Sequence, residues 1–471
     1  MKTFCAVAGL AIVCAAPAGA ATLDEIAAAM GTAKVQSLSI TGTGMSTIVG
    51  QQFEPSGVYP DTKLPRYARI EDYAGAGLAL DYALVQDGNM RSAGGLAFGV
   101  ENPRKMGIKG DRAWSFAGPN ASAAPQLVAQ LQTELWTSPQ GVVRAAQADK
   151  VVVAGNSFEV SGPGKFKARA TVNGRNLVEK VESWVFNPVL GDAAVVTTYS
   201  DYKDVDGVMV PMHVVQTTQG FPSLDLTVRE AKVNAGGVEP PADVASPPPP
   251  QVTMDKIADG VWFVSGGSHN SVAIEMADHV VLVEAPLGDA RTMAVIEAVR
   301  KQIPNKPIRT VIATHVHFDH SGGLRAAASE GIVIAASPKV VEFLRKAYTN
   351  PHTIAPDRLA RANKGATFQE VMEGVVMADA TRTVEIFEQR GNQHADGLIV
   401  VYLPREKILI EADAFSGGRG APVTAPVANP NAFVVNLWQN IERTHLAPET
   451  VLPIHGRVAK AEEVKFTAGV K

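Results

Sequence analysis

The segment that most constrains this chain is Thr314–Gly323, THVHFDHSGG, which begins at the last residue of the largely apolar stretch Ile308–Thr314. An apolar stretch of this kind is typical of a buried strand, so the polar run begins where that strand ends. Only 10 of the 471 residues are histidine, yet three of them fall within this run. The alternative, a histidine-rich surface patch, explains neither the preceding strand nor the glycine pair that lets the chain turn.

The spacing within this run suits metal binding. His315 and His317 are two residues apart, and side chains at that spacing point the same way in an extended segment. Both imidazoles can therefore bind one metal ion. Asp319 and His320 are adjacent and suit a second ion beside the first. The site would lie at the C-terminal end of a strand, where open α/β sheets bind their ligands.

Three further polar residues stand at the edges of apolar stretches later in the chain. His394 precedes the predicted strand Leu398–Leu403, Asp413 follows Ile408–Glu411, and His455 follows the apolar run VLPI. Each of the three, taken alone, would be an ordinary loop residue. Together with the earlier run they predict a metal centre.

From these residues, the segment 252–471 resembles the metallo-β-lactamase superfamily of metallohydrolases. The resemblance implies a four-layered αβ/βα sandwich with the metals at the edge of its two sheets. It implies two Zn²⁺ ions as cofactors, although other divalent metals would also suit the ligands. The implied ligands are His315, His317 and His394 for the first metal, Asp319, His320 and His455 for the second, and Asp413 as a bridge between them.

The same resemblance implies a hydrolytic mechanism. A hydroxide shared by the two metals would attack a carbonyl carbon of a small-molecule substrate, and Asp319 would be the catalytic residue that orients it. A carboxylate at Asp413 is more typical of ester, lactone, thioester and phosphodiester hydrolases than of the true β-lactamases. We therefore expect a lactonase or esterase. The alternatives are a β-lactam hydrolase, a persulfide dioxygenase-like iron enzyme, or a non-catalytic binding protein.

Several other polar residues carry weaker expectations. Glu284 ends the run VLVE, where members of this superfamily often have aspartate, and it can support a metal ligand from outside. Ser268–Asn270 is either a turn near the metals or a plain hairpin turn. Arg457 either meets an anionic substrate group or is solvated, and His352 and His445 are expected on the surface.

A proline-rich segment divides the chain. Residues 236–251, GGVEPPADVASPPPPQ, predict a semi-rigid spacer between two domains, the alternative being a surface loop within one domain. Residues 252–471 alternate predicted strands and helices, which indicates an α/β fold. Residues 22–235 read mostly as strands rich in β-branched residues, so we expect a separate, mostly-β accessory domain. Its segment Tyr199–Asn234 is weakly similar to periplasmic lipoprotein-carrier-like half-barrels.

The first twenty residues have the features of a signal peptide. Lys2 precedes the apolar stretch 4–16, and Ala18–Ala20 offers small residues for cleavage before Ala21. A buried helix or an uncleaved anchor is the alternative. Both cysteines lie in this segment, so the mature chain has no thiolate ligand, and we expect an exported, periplasmic or secreted protein. Cys14 could be a lipid-modified cysteine, but Val13 before it is larger than the small residue that usually precedes such a site. We therefore do not expect lipidation of Cys14.

Composition excludes several classes of protein. The apolar fraction of 46% fits a globular chain, and a net charge of -4 is not the basic footprint of a nucleic-acid binder. No apolar run long enough to span a membrane follows the N-terminal segment, so we expect no transmembrane segment in the mature chain. The sequence does not indicate an oligomeric state.

Overall fold

A computed structural model describes residues 21–86, 99–161, 166–242, 244, 249–418 and 420–471. The predicted signal peptide, residues 1–20, lies outside the described residues, as does part of the predicted linker. Within the described ranges, no helix is both long enough and apolar enough to cross a bilayer.

The N-terminal part is built around one large antiparallel sheet. Its strand order is β6-β5-β4-β3-β2-β1-β14-β13-β10-β9-β8-β7, and β11 and β12 form a separate hairpin. The strands are β1 (Ser37–Thr47), β2 (Asp61–Asp72), β3 (Gly77–Val85), β4 (Asn102–Lys109), β5 (Arg112–Ala117), β6 (Asn120–Ala123), β7 (Ser157–Ser161), β8 (Lys167–Val172), β9 (Val178–Asn187), β10 (Gly191–Ser200), β11 (Lys203–Val205), β12 (Val208–Val210), β13 (His213–Thr218) and β14 (Phe221–Val233). The predicted β-rich N-terminal domain is thus confirmed, whereas its similarity to lipoprotein carriers stays a prediction.

Among the described residues, three α-helices pack on this sheet. They are α1 (Leu23–Met30), α2 (Val128–Trp136) and α3 (Pro139–Ala148). Ile26 and Met30 of α1 and Val142 of α3 are buried together with Phe158 of β7. Burying one such side chain stabilises the fold by about 1.5–3 kcal/mol, so the apolar helix faces hold the helices on the sheet.

The C-terminal part begins with a seven-stranded sheet. Its strands lie side by side in sequence order, antiparallel as far as the fourth strand and parallel thereafter. The strands are β15 (Thr253–Ala258), β16 (Val261–Ser265), β17 (Ser271–Glu275), β18 (Val280–Val283), β19 (Ile308–Ile312), β20 (Val333–Ala336) and β21 (Phe368–Glu370). The accompanying helices are α4 (Asp289–Gln302), α5 (Phe318–Ser321), α6 (Leu324–Ser329), α7 (Pro338–Ala347) and α8 (Arg358–Ala362).

A six-stranded sheet faces the first one. Its strands are β22 (Val376–Ala378), β23 (Thr383–Glu388), β24 (Ile399–Leu403), β25 (Ile408–Glu411), β26 (Thr450–Pro453) and β27 (Ala459–Lys460). Two helices accompany these strands: α9 (Ala432–Arg443) lies between β25 and β26 in the chain, and α10 (Ala461–Thr467) follows β27. The pairing of β25 with β26 is parallel, and the other pairings are antiparallel.

The two C-terminal sheets bury both of their faces. Val283 of β18 and Val401 of β24 belong to the core between the sheets. Their neighbours Leu282 and Val400 point the other way, towards α4, α6 and α7 on one side and α9 and α10 on the other. Burial on both faces explains why these strands are continuous apolar runs. The predicted four-layered αβ/βα sandwich, preceded by a mostly-β domain, is confirmed.

The N-terminal part packs directly on the C-terminal sandwich. Leu190, in the turn between β9 and β10, belongs to the same apolar cluster as the helices of the first C-terminal sheet. The main-chain N–H of Asp192 donates to the carbonyl of Pro351 at 2.7 Å. This turn covers His352, which is buried and lies 3.1 Å from Asp357. The expectation that His352 is a surface residue is therefore wrong, whereas His445 is exposed as predicted.

Candidate metal centre

The predicted ligands converge because the strands beside them end at one edge of the two facing sheets. His315 follows β19, Asp413 follows β25 and His455 follows β26. His394 lies in the turn before β24. Ile399 at the start of β24 donates its N–H to the carbonyl of Thr314 at 2.9 Å, which ties this turn to the loop that carries His315.

The structure brings together all seven residues that the sequence singled out. Their donor atoms form two groups, and within each group the donor atoms lie within 4.8 Å of one another. One group consists of His315, His317, His394 and Asp413, and the other of His269, Asp319, His320 and His455. His269, which the sequence placed in a turn of uncertain role, therefore stands with the second group. Its Nε2 lies 3.2 Å from Oδ2 of Asp319.

Asp413 touches both groups. Its Oδ2 lies 2.8 Å from Nε2 of His394 and 3.0 Å from Nε2 of His320, while its Oδ1 lies 2.7 Å from Nε2 of His455. The residue has a φ of 63°, a left-handed conformation that few residues other than glycine, asparagine and aspartate adopt readily. This turn after β25 directs the carboxylate into the centre between the two groups.

The candidate ligands differ in their exposure to solvent. The side chains of His315 and His320 are 0% exposed, whereas those of Asp319 and His455 are 34% and 24% exposed. A small molecule would therefore approach over Asp319 and His455. Leu287, whose N–H donates to the carbonyl of Asp319 at 2.7 Å, adds an exposed apolar side chain to the same side.

Partners outside the centre orient the imidazoles. Glu284 is fully buried; its Oε2 lies 3.0 Å from Nδ1 of His320, and its Oε1 accepts the N–H of Thr314 at 2.8 Å. Nδ1 of His455 lies 3.1 Å from the carbonyl of Ser268. Such contacts hold one ring nitrogen and turn the other towards the centre. Glu284 thus supports a candidate ligand from outside the centre, as the sequence suggested, although it is one methylene longer than the aspartate that is common at this position.

The electrostatics of the centre favour a bound cation. Burial, reinforced by the charge of His320, lowers the pKa of His315 to about 4, so its ring is neutral and can bind a metal. Burial opposes the ionised form of Asp413, but His320 and His394 nevertheless hold the pKa of Asp413 well below its usual range. Burial likewise opposes a charge on His320, but Asp413 and Glu284 raise its pKa well above the usual value. The same carboxylates would attract a divalent ion.

The donor set fits divalent metals. Nδ1 of His317 is buried and has no hydrogen-bond partner in the described part of the chain, while its Nε2 donates to a carbonyl. A buried ring nitrogen without a partner is costly unless it binds something. Imidazole nitrogens with a few carboxylate oxygens are a ligand set that zinc prefers, and no thiolate takes part.

The structure also adds contacts that the sequence analysis missed. Residues 48–60, which connect β1 and β2 in the N-terminal part and are called the bridging loop below, reach the centre. Gln51 Nε2 donates to Oδ1 of Asp319 at 2.7 Å, and the carbonyl of Gln52 accepts from Nε2 of His317 at 3.1 Å. No local pattern marks these glutamines, because their partners lie more than 260 residues away in the chain. Arg457 is engaged by Glu463, at 2.6 Å.

Comparison with known proteins agrees with this arrangement. Residues 264–444 match the model of the Metallo-beta-lactamase superfamily. The chain is 24% identical over 186 residues to the 2,4-dinitroanisole O-demethylase subunit alpha of Nocardioides sp. (strain JS1661), covering 37% of this chain and 52% of that protein. It is 25% identical over 220 residues to the metallo-beta-lactamase type 2 of Bacillus cereus, covering 44% of this chain and 77% of that one.

The alignment with the solved structure of a metallo-beta-lactamase from Pontibacter korlensis covers 46% of this chain and 97% of that one, with 19% identity and a TM-score of 0.36. The chain spans about half the length of the Nocardioides protein. Residues 264–444 are thus a Metallo-beta-lactamase superfamily domain. Its two groups of histidines and aspartates are arranged so that they could hold metal ions.

Proposed function

We propose that this protein is an exported dinuclear-zinc hydrolase that cleaves an ester, a lactone or a related carbonyl compound. The zinc ions would be held by His315, His317 and His394 on one side and by Asp319, His320 and His455 on the other. Export rests on the signal peptide predicted from the sequence. A mature protein that begins at Ala21 in a periplasmic or secreted fraction would support it.

The observation that carries the proposal is the position of Asp413. One of its oxygens contacts His394, and the other contacts His455, so a single carboxylate serves both groups. When bound, two divalent ions lower the pKa of a shared water and polarise a substrate carbonyl. Asp413 would hold both ions, one through each of its oxygens, and so would support this chemistry.

The residues of the chain divide the remaining work. Oδ1 of Asp319 is engaged by Gln51, so Oδ2, beside His269, is the oxygen left to bind an ion or to hold a proton during the reaction. The buried histidines exclude water from one side of the centre. The open side, with Asp319 and His455, receives the substrate carbonyl.

A β-lactam hydrolase is the second candidate. It is favoured by the 25% identity over 220 residues to the metallo-beta-lactamase type 2 of Bacillus cereus. A lactam, like a lactone, is a cyclic carbonyl compound, so the same centre could attack either. The experiment below therefore includes both.

The experiment is a hydrolysis panel on the purified full chain. It comprises a p-nitrophenyl ester, a γ-lactone and a chromogenic cephalosporin, each with and without a chelator and after zinc is restored. We expect hydrolysis of the ester or lactone that the chelator abolishes and zinc restores. Asp319→Ala should lower the rate about 100-fold or more, whereas Asp259→Ala, which changes a carboxylate that is 97% exposed, should not.

Two results would contradict the proposal. Hydrolysis that survives complete metal removal would place the activity elsewhere in the chain. A protein that binds zinc but hydrolyses none of the three substrates would favour a binding role. Preference for the cephalosporin would exchange the leading substrate class for the second one.

A further inference from the structure

The bridging loop, residues 48–60, belongs to the N-terminal sheet but ends against the metal centre of the other domain. Gly50 gives its carbonyl to the N–H of Phe318 at 3.1 Å, and Phe53 gives its carbonyl to the N–H of Asp396 at 2.7 Å. Phe318 lies between His317 and Asp319, and Asp396 lies two residues after His394. The loop therefore contacts both of the segments that supply the histidines of the first group.

The backbone of the bridging loop lies close to Phe318 at Gly50. Gly50 has a φ of 89°, and a Cβ atom there would lie 2.4 Å from the ring of Phe318. Only glycine can hold this conformation at this distance. The next residue, Gln51, is thereby brought within reach of Asp319.

Gln51 makes the most specific of these contacts. Its amide donates to Oδ1 of Asp319 at 2.7 Å, and the residue is only 9% exposed. The side chain of Asp319 is 34% exposed, compared with 24% for His455 and 12% for Asp413. A carboxylate so open can rotate, and a fixed donor on one oxygen orients the other.

The chemistry of the donor matters as well. An amide is neutral, so it orients the carboxylate without cancelling the negative charge that a metal ion needs. An arginine or a lysine at this position would compete with the metal for the same charge. Oε1 of Gln51 is buried without a hydrogen-bond partner among the described residues, which is energetically costly. An apolar side chain would avoid this cost if the position served packing alone.

We propose that Gln51 is a positioning residue of the metal centre, through which the N-terminal sheet domain completes the site of the C-terminal domain. The proposal rests on the hydrolase function proposed above, because it takes Asp319 as a metal ligand. Gln51 acts through Asp319, so its loss should weaken the second ion more than the first. Removing such an outer partner typically lowers metal affinity or activity 10- to 100-fold.

The test measures zinc affinity rather than activity alone. Wild type, Gln51→Met and Gln51→Ala are stripped of metal and titrated with zinc against a chromogenic chelator, and the Co²⁺ forms are compared by their visible absorption spectra. Glu54→Ala is the matched control, since Glu54 lies in the same loop and is exposed. Gln51→Met keeps the length of the side chain and removes only the donor, and Gln51→Ala carries the test if that variant fails to fold.

We expect the weaker zinc site of both Gln51 variants to lose about 10-fold or more in affinity and their cobalt spectra to change. The thermal unfolding temperatures of the two Gln51 variants should stay close to that of wild type. Glu54→Ala should match wild type in zinc affinity and in its cobalt spectrum. Two zinc ions bound as tightly in Gln51→Met and Gln51→Ala as in wild type, with unchanged spectra, would overturn this proposal and leave the proposed function intact. A wild-type chain that binds no divalent ion would overturn both. Weaker zinc binding in a chain that hydrolyses nothing would overturn the function alone.

Discussion

Glu284 and His320 form a pair in which both side chains are completely buried, with Oε2 of the glutamate 3.0 Å from Nδ1 of the imidazole. The other oxygen of Glu284 accepts the N–H of Thr314, at the start of the metal-binding run. One carboxylate therefore fixes both the loop and the ring of a predicted ligand. Since Glu284 has a φ of 71°, the chain turns sharply here at the end of β18.

Replacing this carboxylate should weaken metal binding without touching a ligand. Glu284→Gln keeps the shape of the side chain but leaves it one acceptor oxygen instead of two. The amide oxygen can accept the N–H of His320 or that of Thr314, and the NH₂ group then faces the other. We expect zinc affinity to fall about 10- to 100-fold, measured by competition with a chelator. Glu449→Gln, at a carboxylate that is 67% exposed, serves as the control. Equal affinities in the two variants would show that Glu284 does not orient His320.

The shared carboxylate gives a second prediction. Asp413→Asn should fold, because asparagine tolerates the left-handed backbone at this position, where φ is 63°. A neutral amide cannot bridge two cations as a carboxylate does. We expect the variant to retain about one zinc per chain where wild type holds about two, as measured by metal analysis after dialysis. Full zinc content in Asp413→Asn would argue against the bridging role.

The fit of the bridging loop against Phe318 can be tested separately from backbone strain. Gly50→Ala adds both a strained φ and a clash with the ring of Phe318. Gly110→Ala adds the strain alone, because Gly110 has a φ of 62° and no neighbour within 4 Å of its Cβ position. We expect the control to cost about 1–2 kcal/mol of unfolding free energy. Gly50→Ala should cost about 1 kcal/mol more and also weaken zinc binding. Identical losses in urea denaturation would mean that the loop yields freely.

A buried ion pair beside the interface of the two parts should matter for stability. The side chains of Arg325 and Asp357 are 5% and 6% exposed, and the guanidinium contacts both carboxylate oxygens. Asp357→Ala leaves the arginine buried without its partner, so we expect a loss of about 3–5 kcal/mol in unfolding free energy. Glu449→Ala, which breaks the exposed pair with Lys407, should cost at most about 1 kcal/mol. Comparable losses in the two variants would contradict this view of the buried pair.

The same carboxylate predicts a pH dependence. Burial opposes ionisation, but hydrogen bonds from His352, Arg325 and the N–H of Ala360 hold the pKa of Asp357 well below its ordinary value of 3.8. As pH falls, the unfolded chain takes up this proton first. The stability due to the carboxylate is therefore complete above its ordinary pKa and is lost as pH falls through that value towards the folded pKa.

The measurement compares wild type with Asp357→Asn, which keeps the capping oxygen at the start of α8. The difference in unfolding free energy between the two proteins should be larger at about pH 6 than at about pH 3, because the wild-type carboxylate loses its advantage on acidification. A difference that does not change over this interval would rule out Asp357 as the group responsible.

The seven candidate ligands could be singled out from the sequence because their segments lie at the edges of apolar strands. β19, β25 and β26 are short buried strands, and Asp413 and His455 follow theirs directly, so a local pattern located them. The layered architecture followed from the resemblance and from the alternation of strands and helices. His269 was ambiguous, because a polar turn beside a glycine pair is common in hairpins.

The contacts between the two parts of the chain could not be predicted in the same way. Gln51 meets Asp319 across 268 positions, and neither glutamine of the bridging loop lies in a recognisable motif. The burial of His352 has the same origin, since the turn around Gly191 that covers it comes from the N-terminal sheet. Such contacts depend on how two separately patterned units pack, which hydrophobic periodicity within either unit does not encode.

The central claim is that seven side chains, His315, His317, Asp319, His320, His394, Asp413 and His455, hold a pair of metal ions. It is tested most directly by the zinc content of the full chain after reconstitution with excess zinc and exhaustive dialysis. We predict about two zinc ions per chain, as a bridging carboxylate with imidazole ligands on both sides requires. A chain that retains no zinc, or that holds a single iron ion in place of the pair, would contradict the account.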